Sequence, residues 1–176
     1  MATTKWSIDP THSEISFTVK HLMISNVRGN FTNFEATIDG EDFINSPIKV
    51  KIDAASISTH NTDRDNHLKS ADFFDVENHP SISFEGNSCS KSDSENYKLK
   101  GMLTIKGISK EVVLDVEYGG TNKDPWGNEK SAFAITGKIN RKDWGLNWNA
   151  ALETGGVLVG EDIKINAEVQ FVKQVS

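Results

Sequence analysis

The 176-residue chain is poor in the residues that cross-link small proteins or bind metals. It has one cysteine, Cys89, which excludes an internal disulfide framework and a cysteine-rich zinc site. Its five histidines are scattered, and no His-Glu-x-x-His segment is present. The sequence therefore predicts no metal site and no cofactor.

Long apolar runs and an excess of positive charge are also missing. No stretch of about 18 apolar residues occurs, so no transmembrane segment is predicted. The net charge of −6 disfavours binding along a phosphate backbone, so nucleic acid is not an expected partner. The N-terminus lacks a basic region followed by an apolar one, which predicts a cytoplasmic protein, or a periplasmic one whose signal peptide has been removed.

The motifs of common enzyme classes are absent as well. The glycine-rich stretch 155–160 lacks the Lys-Ser/Thr end of a phosphate-binding loop, and no Gly-x-Ser-x-Gly elbow occurs. Asp63 and Asp65 resemble the start of a calcium loop, but Leu68 stands where that loop needs glycine. These absences predict a protein without catalytic residues.

What the chain does contain is period-two alternation of apolar and polar residues. In 14–21, Ile15, Phe17, Val19 and His21 share one face, opposite a polar face. The same alternation recurs in 34–38, 48–54, 81–84, 97–106, 112–118, 133–139 and 163–171. Each run predicts a half-buried strand, and the compact turns between runs favour an antiparallel meander.

One segment, 62–75, breaks the alternation. Thr62 followed by Asp65 resembles a capping box, and Leu68 and Phe74 then fall on one side of a short helix. A helix this short needs tertiary packing, so we expect it to cross one end of the sheet. Long half-buried strands with one short helix leave two architectures, a closed barrel or a two-layer sandwich, and periodicity does not distinguish them.

Two groups of polar residues have both a structural and a functional interpretation. His21 lies in phase with an apolar face, either as a buried histidine at a strand end or as a polar group at the end of a cavity. Arg64, His67 and Lys69 cluster around the short helix, either as a solvated face or as a head-group site at a pocket mouth. Arginine suits a phosphate group because its planar fork donates two hydrogen bonds at once.

The tryptophans at 144 and 148 form a further pattern in the sequence. The spacing of Trp144, Leu146 and Trp148 predicts one strand that presents two indole rings on the same face. Those rings would fill a barrel or line a wide apolar slot.

Short motifs with ordered spacing extend over nearly the whole chain. They occupy residues 6–9, 12–17, 19–21, 27–31, 64–68, 73–75, 79–84, 103–107, 141–146, 148–149 and 156–160. Together they resemble the YceI-like family of lipocalin-like isoprenoid-binding proteins. The resemblance implies an all-β fold, an extended antiparallel β-barrel of about eight strands similar to lipocalins, with the short helix near 62–75 and one domain over 1–176.

The resemblance also implies a function. A long apolar cavity would hold a polyisoprenoid, such as a polyprenyl diphosphate or an isoprenoid quinone precursor, or another amphiphilic lipid, for carriage or storage. We expect inward-facing side chains to line the tail channel and polar ones to hold the head group. The predicted ligand-binding residues are Ile15, Phe17, Val19, His21, Phe34, Arg64, His67, Phe73, Phe74, Ile82, Phe84, Leu103, Ile105, Leu114, Val116, Phe133, Ile135, Trp144, Leu146 and Trp148.

Two alternatives to a lipid carrier stay open. One is an enzyme acting on a bound lipid, with Asp65 or Asp143 and a histidine as acid and base. The other is a stress-associated structural protein whose barrel is filled by its own side chains. Exposed strand edges in an incompletely closed barrel would also permit a homodimer.

Overall fold

The computed structural model describes residues 4–21, 25–40, 46–71, 73–91, 93, 96–146 and 159–175. Within these ranges the chain forms one eleven-stranded antiparallel sheet and the helix α1 (Thr62–Lys69). The strands are β1 (Thr4–Ile8), β2 (Glu14–His21), β3 (Ser25–Phe31), β4 (Phe34–Asp39), β5 (Ile48–Asp53), β6 (Ile57–Ser58), β7 (Ser81–Lys91), β8 (Asn96–Ile105), β9 (Ile108–Lys123), β10 (Glu129–Asn140) and β11 (Val159–Val175).

The eleven strands make a barrel of eight, because three barrel strands are interrupted. β1 and β2 both pair with β11, at its C-terminal and N-terminal parts, and a 3-10 turn at Pro10–His12 separates them. β3 continues into β4 and β5 into β6 in the same way. From β7 to β11 each strand pairs with the next, and β11 closes the sheet on β1. The predicted eight-stranded antiparallel barrel is therefore confirmed, and the sandwich alternative is excluded.

The predicted inward and outward faces are confirmed along β8. Tyr97, Leu99, Leu103 and Ile105 are buried, whereas the lysines between them are exposed. The inward side chains of this and the neighbouring strands form one connected apolar cluster inside the barrel. Alternation can be seen so clearly in the sequence because each strand has the barrel interior on one side and water on the other.

The N-cap of the helix is one residue earlier than the sequence suggested. The side chain of Asn61 accepts a hydrogen bond from the backbone N–H of Arg64 at 3.0 Å, so Asn61 is the N-cap and the predicted capping box at Thr62 is wrong. Asp65 instead turns back to Thr59, whose backbone N–H donates to its carboxylate at 2.8 Å.

The helix also ends earlier than the predicted 62–75. Ser70 has an extended backbone and donates its N–H to the carbonyl of His67 at 3.1 Å, which ends α1 at Lys69. Residues 73–79 continue as turns, and Asp75 has a φ of 49°. None of the described helices is long and apolar enough to cross a membrane.

Strand register defines two ends of the barrel. One end of the barrel, which we call the helix end, holds the end of β2, the start of β3, α1, the β8–β9 hairpin and the 3-10 turn Arg141–Trp144. The opposite end, the far end, holds the start of β1, the end of β11 and the β9–β10 connection. The two ends differ in chemistry, and this difference shapes the candidate site.

Candidate ligand-binding site

A cavity of about 610 Å³ lies inside the barrel. This volume is within the usual range for a small-molecule site, roughly 300–1,000 Å³. The barrel is therefore not filled by its own side chains, which argues against the structural-protein alternative. Most of the wall is aliphatic and aromatic, contributed by strands all round the barrel.

Most of the predicted ligand-binding residues line this cavity. They are Ile15, Phe17, Val19, Arg64, His67, Phe73, Phe74, Ile82, Phe84, Leu103, Ile105, Leu114, Val116, Phe133, Ile135 and Leu146. Their contact with a ligand stays a prediction. The structure shows that residues far apart in sequence, from β2 to the segment after β10, face one cavity.

Four predicted residues are not among the described lining residues. Phe34 and Trp144 are buried but are not part of the cavity wall. The backbone of His21 belongs to β2, but its side chain lies outside the described part of the structure. Trp148 also lies outside the described residues.

Trp144 requires a correction of both position and secondary structure. The predicted strand through Trp144 and Leu146 is wrong, because Arg141–Trp144 is a 3-10 turn followed by Gly145 at φ 76°. The indole Nε1 donates to the carbonyl of Leu103 at 2.9 Å, and the ring is 2 % exposed. A buried indole N–H needs an acceptor, so the ring packs against β8 instead of lining the cavity.

Further apolar residues line the cavity, most of them on the inward strand faces that were expected to line the tail channel, although they were not among the predicted ligand-binding residues. They are Ile8, Val27, Phe31, Ala36, Ile38, Ile48, Val50, Ile52, Leu68, Cys89, Leu99, Val112, Ile139, Ile163, Ile165, Ala167, Val169 and Phe171. Alternation is the signal that marks most of them, because they share the inward faces of their strands. Burial raises the pKa of the Cys89 thiol, which keeps it neutral and apolar in this wall.

Polar lining residues are concentrated at the helix end. They are Ser16, Lys20, Thr59, Asn61, Asp63, Arg64, His67 and Arg141. By strand register Ser16 lies near mid-barrel, whereas the others belong to α1, the residues just before it, the end of β2 and the turn after β10. The cavity is therefore amphipathic along its axis, with its polar groups towards one end.

Arg64 is held in place by the segment before the helix. Its Nε donates to Oγ1 of Thr59 and its Nη2 donates to the Thr59 carbonyl, both at 2.8 Å. Thr59 is itself buried and is bound by Asp65. His67, one turn further along the helix, packs edge-to-face on Phe73 with ring centroids 5.1 Å apart. A positive charge thus stands at the cavity wall on a side chain fixed by two hydrogen bonds.

Arg141 is a lining residue that sequence reasoning missed. Its side chain is 2 % exposed, its Nε donates to the carbonyl of Gly160 at 2.9 Å, and its Nη1 donates to the carbonyl of Leu146. Burial lowers the pKa of Arg141 and Glu161 opposes that effect, but arginine stays charged in either case. Nothing in the charged run Arg-Lys-Asp signals that its first member is buried.

The residues of the enzyme alternative do not meet in the cavity. Asp65 is bound to Thr59, Asp143 is exposed on the turn after β10, and neither belongs to the wall. In the described part of the chain, no three His, Cys, Asp or Glu side chains are grouped so that they could hold a metal ion.

Comparison with known proteins identifies the family. A family model described as the YceI-like domain matches residues 6–171. The UPF0312 protein SA2479 of Staphylococcus aureus is 44% identical over 171 residues, covering 96% of this chain and 97% of that protein. The chain belongs to the YceI-like family. The resemblance inferred from the motifs is confirmed.

Solved structures agree with this assignment. The YceI protein of Campylobacter jejuni is 39% identical, with a TM-score of 0.74 over 87% of this chain and 88% of that one. A polyisoprenoid binding domain from Saccharophagus degradans has a TM-score of 0.69 over 95% of this chain and 97% of that one, at 13% identity. The latter likeness shows that this YceI-like chain has the same fold.

Proposed function

We propose that this YceI-like protein binds one amphiphilic lipid, a polyisoprenoid, for carriage or storage, without catalysing a reaction on it. The observation that carries the proposal is the amphipathic cavity, with an apolar wall along the barrel and polar groups concentrated at the helix end. A lipid bound here would place its tail along the barrel and its head group near α1.

Burial of the tail supplies the driving force. Each square ångström of apolar surface removed from water stabilises the complex by ~25 cal/mol. The cavity wall offers aliphatic and aromatic contacts without requiring the tail to make hydrogen bonds. Polar groups at one end then select the orientation of the ligand.

The shape of the cavity favours a single chain. On β11 the lining residues run from Ile163 to Phe171. Eight residue steps of roughly 3.3 Å, projected onto the axis of a barrel with strands tilted by roughly 40°, span roughly 20 Å. The volume of about 610 Å³ is spread along this length, so the cavity is elongated. An elongated space of this kind suits one linear tail.

The head-group end supports an anionic ligand. Arg64 brings a fixed guanidinium to the wall, and Lys20, His67 and Arg141 line the same end, where the carboxylate of Asp63 is the one described acidic lining group. Guanidinium groups bind phosphate oxygens through paired, charge-assisted hydrogen bonds. The described function of the Saccharophagus degradans domain, polyisoprenoid binding, supports the same class of ligand. A homodimer and a cytoplasmic location stay predictions.

Native mass spectrometry of gently purified protein, with extraction and lipid analysis, tests the proposal. We expect a bound mass that matches a prenyl lipid or an isoprenoid quinone. Ala167→Phe should abolish this mass, because Ala167 lines the cavity and the added ring occupies it. Val113→Phe is the matched control, because Val113 is 52% exposed on the outer face of β9 and its side chain does not line the cavity.

Bare wild-type protein that takes up no added prenyl lipid would refute the proposal. Equal occupancy in Ala167→Phe and Val113→Phe would show that the lipid binds elsewhere. Chemical conversion of the bound lipid by purified protein would instead favour the enzyme alternative.

A further inference from the structure

The cavity stops at the same level on four strands near the far end. Towards the far end, the last lining residues on these strands are Ile8 of β1, Leu99 of β8, Val116 of β9 and Phe133 of β10. Two positions further, the inward side chains no longer line the cavity. These side chains are Trp6, Tyr97, Tyr118 and Ser131, and we call them the far-end floor.

The floor is packed and held by specific contacts. Trp6, Tyr97 and Ser131 are buried. Tyr118 stacks on Phe133 with ring centroids 5.3 Å apart and an angle of 27° between the ring planes. Its hydroxyl bonds Thr121, whose Oγ1 lies 2.7 Å from Oγ of Ser131. These hydrogen bonds give the hydroxyls of Tyr118 and Ser131 partners at the floor.

The two ends of the cavity differ in polarity, and this difference determines which way a bound tail points. The described lining residues with charged side chains lie at the helix end, whereas the last lining residues above the floor are apolar. A tail that enters with its head at the helix end therefore runs until it meets the rings of the far end.

We propose that the far-end floor limits the length of tail that the cavity accepts, so that its side chains determine the chain-length specificity. This inference rests on the proposed function. One layer of inward side chains corresponds to two residues of strand, which is roughly 5 Å along the axis of a tilted barrel. That distance is close to the length of one isoprene unit. Moving the floor by one layer therefore changes the accepted tail by about one unit.

The test measures affinity for a graded series of linear polyprenyl alcohols, which carry no charged head group. In the wild type, each further isoprene unit should raise affinity about tenfold or more until the cavity is filled, because each buries more apolar surface. Beyond that length affinity should level off, because the added units stay in water. The length at which it levels off is the readout.

Two substitutions should move this length in opposite directions. Cys89→Phe adds a ring to the wall of β7, where Cys89 pairs with Leu99 just above the floor, and should shorten the limit by about one unit. Ser90→Phe, the neighbouring exposed position, is the matched control and should leave the limit unchanged. Trp6→Leu removes a floor ring and should lengthen the limit.

The outcomes separate this inference from the proposed function. If wild-type protein binds neither polyprenyl alcohols nor polyprenyl diphosphates of any length, the proposed function fails. If it binds them but Cys89→Phe levels off at the wild-type length while remaining folded, the floor does not set the limit. Thermal unfolding of each variant confirms the fold. If Trp6→Leu is too unstable to purify, Tyr118→Leu, at a half-buried floor position, should lengthen the limit in its place, and an unchanged limit in that variant would show that the floor does not set it.

Discussion

Arg141 and Trp144 show how buried polar atoms determine where a side chain lies. Both residues are about as buried as the apolar core, and both donate hydrogen bonds to backbone carbonyls inside the barrel. Hydropathy alone predicts that the charged Arg141 lies in water. Residue spacing alone predicted that Trp144 lies on a strand. Hydrogen-bond partners from other strands, Gly160 and Leu103, decide both positions, and a local pattern cannot contain them.

Arg64 is the residue at which the head-group assignment can be tested. Arg64→Ala removes the fixed guanidinium, so affinity for a polyprenyl diphosphate should fall about tenfold or more, given ~1.5–3 kcal/mol for a hydrogen bond to a charged group. Affinity for the matching polyprenyl alcohol should change little. Isothermal titration with both ligands measures the difference.

Lys69→Ala is the matched control, because Lys69 lies on the same helix but not in the cavity wall. An equal loss of affinity for both ligands would mean that Arg64 acts only by holding Thr59 in place. Unchanged diphosphate affinity would remove Arg64 from the head-group site.

At the scale of elements, strands were easier to predict than helix ends. Alternation in β8 and β11 reports a barrel wall directly, since every second residue faces the interior. The limits of α1 depend on interactions that the spacing does not show. They include the Asn61 cap, the Thr59–Asp65 bond and positive φ angles at His60 and Asp75, 61° and 49°. Non-glycine residues adopt such angles rarely, so tertiary contacts must support them.

Weakening the helix cap should speed ligand exchange if lipid passes the helix end. Asn61→Ala removes the side-chain acceptor for the N–H of Arg64 and should destabilise α1 by about 1 kcal/mol. We expect faster amide exchange in residues 62–69 and faster dissociation of a bound polyprenyl alcohol. Hydrogen-exchange mass spectrometry and stopped-flow release measure the two effects.

Asn61→Ser is the control, because serine can cap the helix in the same way. It should preserve both rates close to those of the wild type. Faster amide exchange in Asn61→Ala with an unchanged release rate would show that ligand leaves by another path.

At the scale of the whole molecule, closure of the barrel creates the cavity. β11, 17 residues long, pairs with β10 on one side and with both β1 and β2 on the other. These pairings join strands from the N-terminal and C-terminal parts of the sequence. Its closure leaves an interior that the inward side chains line but do not fill.

Removal of the ligand should therefore lower stability without unfolding the barrel. A ligand at about one hundred times its Kd stabilises the native state by about 2.7 kcal/mol. Each kcal/mol shifts Tm by roughly 2–4 °C in a protein of this size, so delipidation should lower Tm by roughly 5–10 °C. Calorimetry before delipidation, after it and after reloading with a polyprenyl alcohol measures the shift. The Tm of the Ala167→Phe protein should not shift on reloading. A wild-type Tm that is the same with and without ligand would contradict the expectation.

The sequence by itself determined the strands, their inward faces and the approximate place of the helix, because these depend on side-chain period and neighbouring residues. The order of motifs also determined the family. The family resemblance implied a closed barrel, which residue periodicity by itself left undistinguished from a sandwich. Tertiary structure alone decided that an open cavity remains and that Arg141 and Trp144 are held by distant carbonyls. These outcomes depend on contacts between residues far apart in the chain, where side-chain volumes and hydrogen-bond partners from several strands meet.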